Sequence, residues 1–351
     1  MFKQFKNLDR VKGSLLGGAL GDALGSPVKE MSLDEIAVKY GYQGINGFDL
    51  AHYSKAPISD YTYLVYYTSK GILLNQYKKE YLHIDEPLYL TIYDYLREYL
   101  EKSGVSIKKD ELSTDMLNHL EGMNNDCSSV IRIAPLGLAY QYIDDPVLEA
   151  AMLTFLTNNH PYSFLSSILM MFIIREIVKD DGRTLWRIIK DSIREFNKFY
   201  AKLPRKGLED FYKRNKEYKP KFIDLMNKSL LFVKHDIDDK YLVFNYKKIH
   251  ERIASIGIGK TSEEALAIAI YCAIKYQTNP EQGVKIAVNI DGDSAAVGVL
   301  TGQILGAYYG QTVIPLNIID KVDFGKTLDD LATGLVNGIK EDNQDWIKEH
   351  L

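Results

Sequence analysis

Two short segments carry hydroxyl and carboxylate side chains directly before apolar runs with helical spacing. In PISDYTYL, residues 57–64, these side chains are Ser59, Asp60 and Thr62, and the second segment, DGDS, occupies residues 291–294. Hard oxygen ligands of this kind suit Mg²⁺. Each segment also has a simpler explanation, because Ser or Asp before a helix caps its free backbone N–H groups and the helix dipole favours a carboxylate there. The pattern therefore indicates either two helix caps or a magnesium site.

Two further segments combine small residues with a charged side chain. GSLLGGALGDALGSPVKE, residues 13–30, carries Asp22, and no strand precedes its glycines, which argues against a P-loop or a dinucleotide-binding turn. Its spacing predicts a tightly packed helix that ends near Gly25. In NNDCSSVIRIAPLGLAY, residues 124–140, small hydroxyl residues precede Arg132. Such a loop lets backbone N–H groups approach a phosphate, although a turn between helices, with Arg132 paired to a carboxylate, is the simpler interpretation.

Together the four segments resemble the ADP-ribosylglycohydrolase family. The motifs of that family are written GALLGxAxGDALGxPxE, Ser/Thr-Asp-Asp-Thr, GCGAAMRxAPLGL and NxGGDTDTxAAxxGALxGAxYG, and their counterparts stand here in the same order. Residues 256–274 resemble the helix before the last motif, and TNNHP, residues 157–161, lies where the family has a Thr-His near the nucleotide. The resemblance implies hydrolysis of the glycosidic bond between ADP-ribose and a protein side chain, assisted by two magnesium ions.

The metal ligands of the family are only partly present. The positions that match are Ser59, Asp60 and Asp293. Tyr61 stands at the second Asp of the second motif, and Ala295 and Ala296 replace an Asp and a Thr of the fourth. Mg²⁺ needs near-ideal octahedral oxygen geometry and loses its water reluctantly, and an alanine side chain offers it no oxygen. We therefore expect magnesium binding that is weak at most, with fewer than two ions.

The same alignment supplies the other candidate residues. The candidate catalytic residues are Asp60, Asp293 and Glu30. The candidate ligand-binding residues are Asp22, Lys29, Cys127, Ser128, Ser129, Arg132, Asn158, Gly257, Gly259 and Gly292. Lys29 stands where the family has a Glu, with Glu30 one residue later, and it offers a positive charge to the phosphates of the ligand. Asn158 stands where the family has a His.

The rest of the chain supplies the helices that must position these residues. Apolar residues recur at helical spacing and strict alternation is rare, so we predict an all-α fold, a single compact domain over residues 1–351. Gly302, Gly306 and Gly310 recur every four residues, which predicts tight packing of their helix. We expect this helix and the N-terminal helix at the centre of the fold. Residues 180–250 are a divergent, charged segment, and within it residues 203–222 are predicted to form a solvated helix-loop. The alternative for its basic cluster, residues 205–221, is docking of an acidic partner.

Composition limits the classes of partner. Lys and Arg number 43 against 47 Asp and Glu, so the net charge of −4 gives no general attraction to nucleic acid or to an anionic membrane. The two cysteines, Cys127 and Cys272, form no CxxC pair, which fits a reducing compartment. The N-terminus lacks an apolar signal region, and the longest apolar run, residues 168–174, is too short to span a bilayer. We expect a cytoplasmic protein.

Three functions fit these observations. The favoured hypothesis is a protein that recognises ADP-ribose or ADP-ribosylated proteins, with magnesium-dependent hydrolysis impaired or absent. The second is an active ADP-ribosylhydrolase that works with one metal ion or none. The third is a scaffold that kept only the fold, for example an interaction or immunity-type protein. Hydrolysis assays separate the first two, and binding of ADP-ribose separates the third from both.

Overall fold

The computed structural model describes residues 2–50, 53–102, 108–119, 124–201, 207–237, 246–314 and 316–338. Within these ranges there are sixteen α-helices, and the β structure is one isolated bridge between Ala56 and Val322. The predicted all-α fold is confirmed. The helices are α1 (Phe2–Gly25), α2 (Leu33–Tyr40), α3 (Asp60–Tyr81), α4 (Leu88–Lys102), α5 (Ser128–Arg132), α6 (Ala134–Leu138), α7 (Pro146–Phe155), α8 (Pro161–Val178), α9 (Leu185–Ala201), α10 (Glu209–Ile237), α11 (Tyr246–Ile256), α12 (Ser262–Lys275), α13 (Pro280–Val288), α14 (Ser294–Tyr309), α15 (Leu316–Ile319) and α16 (Gly325–Asn337).

Helices α1 and α14 pack together through glycines on both. A Cβ atom added to Gly17 would lie 2.3 Å from the carbonyl oxygen of Gly302, and one added to Gly302 would lie 2.0 Å from the carbonyl oxygen of Gly17. Gly13 and Gly306 make the same kind of reciprocal approach one turn away. Any larger residue would force the backbones apart, so the glycines on the two helices fix their separation. The predicted tight packing of the glycine-striped helix is confirmed, and its partner is the N-terminal helix.

Helix α8 supplies the most continuously buried surface of the fold. Among the described residues it is the one helix long and apolar enough to cross a membrane, and 83% of it is buried inside the protein. Helices α6, α7, α9, α10 and α12 contact it. A helix that is apolar on all sides is also typical of a protein core, and this packing accounts for the composition of α8.

The charged segment is more regular than the sequence suggested. Instead of a helix and a loop, α10 is one helix of 29 residues that continues through Pro220. Its residues Phe211, Phe222, Met226 and Val233 recur at helical spacing and are at most 1% exposed. This stripe packs on α8 and α12, so burial holds the helix together where charge alone would favour a solvated segment. Two parts of the predicted charged segment, residues 202–206 and 238–245, lie outside the described residues.

Candidate functional site

Asp22 ties the end of α1 to the start of α3. Its carboxylate is fully buried and accepts hydrogen bonds from the Ser59 hydroxyl at 2.6 Å, the Thr62 hydroxyl at 2.6 Å and the Ser26 hydroxyl at 2.9 Å. It also accepts from the backbone N–H groups of Ser59 and Thr62, at 2.9 and 3.2 Å. The first N–H groups of a helix have no partner within the helix and carry partial positive charge. Asp22 therefore acts as a cap supplied by another helix, and it fixes the position of Tyr61.

Tyr61 reaches from α3 to the start of α14, where it meets Lys29 and Asp293. We call these three residues the cleft cluster. The Tyr61 hydroxyl donates to Asp293 Oδ2 at 2.5 Å, and Lys29 Nζ donates to the Tyr61 hydroxyl at 3.2 Å. Lys29 Nζ also lies 3.7 Å from Asp293 Oδ2 and 4.2 Å from the centroid of the Tyr61 ring. Lys29 and Tyr61, at which the sequence predicts replaced family residues, thus contact Asp293, a predicted ligand.

Both carboxylate oxygens of Asp293 are engaged. Oδ1 accepts the backbone N–H of Ala296 at 2.9 Å and so caps α14, while Oδ2 accepts the Tyr61 hydroxyl. Burial raises the pKa of Asp293, and the Lys29 charge and these two hydrogen bonds oppose that rise. Burial and the neighbouring Asp293 carboxylate raise the pKa of Tyr61, so the phenol is a neutral donor. The cluster is a carboxylate satisfied by one phenol, one backbone N–H and one ammonium.

The residues present do not fit a pair of magnesium ions. No group of three or more His, Cys, Asp or Glu side chains stands close enough to hold a metal in the part of the chain that the structure describes. Asp60 is exposed, and the Ser59 hydroxyl donates to Asp22 and accepts the N–H of Tyr61 at 3.1 Å. Ala295 is fully buried and offers no oxygen. Mg²⁺ binding here would require displacing existing hydrogen bonds without a matching set of new ligands.

The third segment lies against the cleft cluster through Cys127 and Asp126. Asp126 Oδ1 accepts the Ser128 backbone N–H at 2.9 Å, the Ser128 hydroxyl at 2.5 Å and the Asn158 amide at 3.0 Å. Burial raises the pKa of the Cys127 thiol, and the negative charges of Asp293 and Asp126 raise it further. Asp126 was not among the predicted site residues. Its position two residues before a Ser at a helix start is an Asx-type cap, a signal that could have identified it.

Glycines and the Glu30 backbone lie beside the cleft cluster. Gly292 has φ +106° and Gly259 has φ +72°, conformations that favour glycine. The Gly292 carbonyl accepts the N–H of Glu30 at 2.8 Å, and the Gly259 carbonyl accepts a hydrogen bond from Cys127 Sγ at 3.4 Å. The Glu30 carboxylate makes an ion pair with Lys260 at 2.5 Å, with both side chains about half exposed. Glu30 therefore stands at the rim, while Lys29 lies within the cleft cluster.

Gly257 is confined by the helix that follows it. A Cβ atom added there would lie 2.4 Å from Cδ of Glu264, whose carboxylate accepts the N–H of Ile258 at 3.2 Å. Removing the side chain at Gly257 lets Glu264 fold back over the loop before α12. This contact positions the loop that also contains Gly259.

Arg132 and Ser129 belong to the packed interior. Arg132 is 0% exposed, and its guanidinium donates to the Leu153 carbonyl and, at 3.0 Å, to the Thr157 hydroxyl. Burial lowers the pKa of Arg132 to about 10. Ser129 is also 0% exposed. A ligand phosphate would reach these side chains only after α5 and α7 separate. Asn158 is also buried, at 1% exposure, and its side-chain amide donates a hydrogen bond to Asp126.

Known proteins share this architecture. A family model described as ADP-ribosylglycohydrolase matches residues 4–345 of the chain. A solved structure described as an ADP-ribosylglycohydrolase-related protein complex is similar with a TM-score of 0.60 at 19% sequence identity. The similar region covers 94% of this chain and 98% of that chain, and at this identity the likeness concerns the fold alone. No curated protein matches the sequence significantly.

Proposed function

The chain belongs to the ADP-ribosylglycohydrolase family, and from this premise we propose that it recognises ADP-ribose or ADP-ribosylated proteins while magnesium-dependent hydrolysis is impaired or absent. The family acts on ADP-ribose linkages, which defines the class of ligand. The proposal separates two properties of the family: the cleft that recognises the ligand and the metal ions that assist cleavage.

The meeting of distant motif segments supports the recognition part of the proposal. Asp22 in α1 holds the start of α3, Tyr61 contacts Asp293 across 232 positions of sequence, and Cys127 contacts Gly259 across 132. Clefts formed where several elements converge are the usual place for a small ligand.

The existing contacts of the Asp293 carboxylate support the second part of the proposal, that magnesium-dependent hydrolysis is impaired or absent. Its two oxygens already accept hydrogen bonds from Tyr61 and Ala296, and the Lys29 ammonium stands 3.7 Å away. A divalent ion at this carboxylate would face a like charge and would have to replace the phenol. Asp60, the other retained acidic position of the family motif, is exposed. Hydrolysis that depends on two positioned ions therefore has too few ligands.

Two measurements on the purified protein test the proposal. The first is release of ADP-ribose from ADP-ribosyl-arginine and ADP-ribosyl-serine peptides, with Mg²⁺ and with EDTA. The second is thermal melting with ADP-ribose, with adenosine as the control ligand. We expect no release above background, and stabilisation of about 2.7 kcal/mol at a ligand concentration one hundred times Kd. Rapid release would establish an active hydrolase, and absence of stabilisation would leave a scaffold.

A further inference from the structure

We propose that the Lys29 ammonium is the resident cation of this cleft: it excludes divalent ions from Asp293 and donates hydrogen bonds to oxygen acceptors of the ligand. The identity of that ligand rests on the proposed function above. The exclusion of divalent ions does not, since it concerns only the protein and a metal. The two parts are therefore tested separately.

The contacts of Lys29 leave part of its ammonium available. The group carries three N–H donors, and the Tyr61 hydroxyl accepts one of them at 3.2 Å. The Tyr61 ring lies beneath the ammonium at 4.2 Å, and Asp293 Oδ2 lies at 3.7 Å, beyond ordinary hydrogen-bond distance. The Lys29 side chain is 36% exposed, against 7% for Asp293. The ammonium thus contacts Tyr61 and Asp293 on one side and is accessible to solvent on the other.

The backbone fixes Lys29 relative to Asp293. The N–H of Glu30, the next residue, donates to the carbonyl of Gly292 at 2.8 Å, and Gly292 directly precedes Asp293. Glu30 adopts φ +65°, a conformation that is uncommon outside glycine, and Gly292 has φ +106°. This hydrogen bond between two residues with positive φ holds the segment that contains Lys29 against the segment that contains Asp293. The ammonium is therefore positioned in advance, as a bound metal ion would be.

A positioned ammonium and a divalent ion compete for the same carboxylate. Asp293 is the acidic member of the cleft cluster, and one negative charge satisfies one ammonium. A second, divalent cation would be repelled by Lys29 and would have to break the 2.5 Å hydrogen bond from Tyr61. The Lys29 ammonium balances the negative charge of Asp293 without an ion from solution. Its outward donors suit phosphate oxygens and ribose hydroxyls, because both accept hydrogen bonds from an ammonium.

Binding of Mn²⁺, followed by electron paramagnetic resonance without any nucleotide, tests the exclusion of metal. We expect the natural protein and the control Lys39→Met to bind no Mn²⁺ at millimolar concentration. The variant that combines Lys29→Glu with Tyr61→Asp should bind it at least about tenfold more tightly, because it adds two carboxylates beside Asp293 and removes the ammonium. Circular dichroism checks that the combined variant is folded. If it is not, the single variant Lys29→Glu makes the same test with a smaller disturbance of the fold. Micromolar Mn²⁺ binding by the natural protein would overturn the proposal.

Calorimetric titration of ADP-ribose in EDTA tests the role of Lys29 as a donor. Lys29→Met should weaken binding by about tenfold or more, Lys29→Arg should restore part of the loss, and Lys39→Met should have no effect. Equal losses for ADP and ADP-ribose would identify the diphosphate as the acceptor, and a loss for ADP-ribose alone would identify the terminal ribose. Unchanged affinity in Lys29→Met would refute the role. If the natural protein bound no ADP-ribose, the proposed function would fail, while the Mn²⁺ measurement would still decide the exclusion of metal.

Discussion

The cleft cluster has a counterpart on the surface made of the same three residue types. In this surface cluster, Lys39, Tyr40 and Asp49, the Tyr40 hydroxyl donates to Asp49 Oδ2 at 2.7 Å. Lys39 Nζ lies 4.8 Å from the Tyr40 ring centroid and 3.9 Å from Asp49 Oδ2. The corresponding distances in the cleft cluster are 2.5, 4.2 and 3.7 Å. Geometry alone therefore does not distinguish the two clusters.

Burial and chain separation do distinguish them. The surface cluster joins residues at most ten positions apart, and the side chains of Lys39 and Asp49 are 48% and 26% exposed. The cleft cluster joins residues as many as 264 positions apart around an Asp293 side chain that is 7% exposed. Exposed ion pairs contribute little because water screens them, whereas a buried carboxylate that loses a partner is costly. The same triad is thus a minor surface contact in one place, and in the other it links the turn after α1 to α3 and to the start of α14.

The largest effect should follow from restoring the family ligands around Asp293. In the combined variant Tyr61→Asp, Ala295→Asp and Ala296→Thr, two new carboxylates are buried beside Asp293, at positions that are at most 8% exposed. Without metal the free energy of unfolding should fall by about 3–5 kcal/mol. Mg²⁺ or Mn²⁺ should return part of that loss, since an ion that binds only the folded state stabilises it.

Thermal melting across a titration of each ion measures this response. The natural protein should show no comparable metal-dependent rise. An equal rise in the natural protein would mean that its metal site is intact, and a variant without any response would mean that these positions do not converge on one cation.

Removing one hydroxyl from each cluster gives the next largest difference. Tyr61→Phe leaves buried Asp293 Oδ2 without its 2.5 Å donor and should cost about 1–3 kcal/mol. Tyr40→Phe removes the matching donor from Asp49 at the surface and should cost less than about 0.5 kcal/mol. Urea denaturation of both variants and the natural protein measures the difference. Equal costs would show that burial does not separate the clusters.

Glu149 offers a partly exposed carboxylate that accepts hydrogen bonds from two backbone N–H groups at the start of α4. It accepts the N–H groups of Tyr89 and Leu88 at 2.8 and 3.2 Å, and burial raises its pKa to about 7, against the opposing effect of those two bonds. A raised pKa means that the folded state binds the proton more tightly than the unfolded state does. Stability should therefore decrease as the pH rises from about 4.5 to about 7.

The comparison variant is Glu149→Gln, which lacks this titration. We expect the natural protein to lose about 1–2 kcal/mol relative to the variant between pH 4.5 and pH 7.5. Denaturation at several pH values across this window measures it. A difference that stayed constant with pH, or that changed in the opposite direction, would contradict the assignment to Glu149.

The smallest effect should come from Lys39→Met in the surface cluster. The lysine is about half exposed, so its ion pair and ring contact should contribute less than about 0.5 kcal/mol. Since salt screens exposed charges, even this difference should shrink between 0.05 and 1 M NaCl. Denaturation at the two salt concentrations measures it. A loss above 1 kcal/mol at either concentration would mean that the surface cluster carries more stability than its exposure allows.

The spacing of apolar residues and glycines along the chain predicted much of the fold, because helix formation depends largely on residues close in sequence. The glycine repeat at Gly302 and Gly306 predicted a close approach of helices, and the structure pairs these residues with glycines of α1. The helix-loop prediction for the charged segment was wrong at α10, since the buried stripe that includes Phe222 and Met226 depends on packing partners far away in sequence. Charge along the chain indicated solvation but carried no information about the opposite face of the helix.

The candidate site was less predictable, because each residue type permits several roles. Asp22 was predicted to bind ligand, and the structure gives it five hydrogen bonds, four of which join α1 to the start of α3. Asp126 was missed, although it connects Ser128 and Asn158. A carboxylate can cap a helix, bind a metal or contact a ligand, and sequence alone does not choose among these roles. The roles of the predicted site residues in binding and catalysis stay predictions.

The sequence by itself determined the family and the helical character of the chain, and it supplied the prediction of where metal ligands are missing. These depend on residue identity and local spacing, which the chain carries without folding. The tertiary structure decided that Lys29 and Tyr61, two departures from the family pattern, meet at the retained Asp293 and satisfy its charge and hydrogen bonds. That meeting joins the turn after α1, helix α3 and the start of α14 through contacts across as many as 264 positions, and only tertiary packing determines which distant side chains share a buried space.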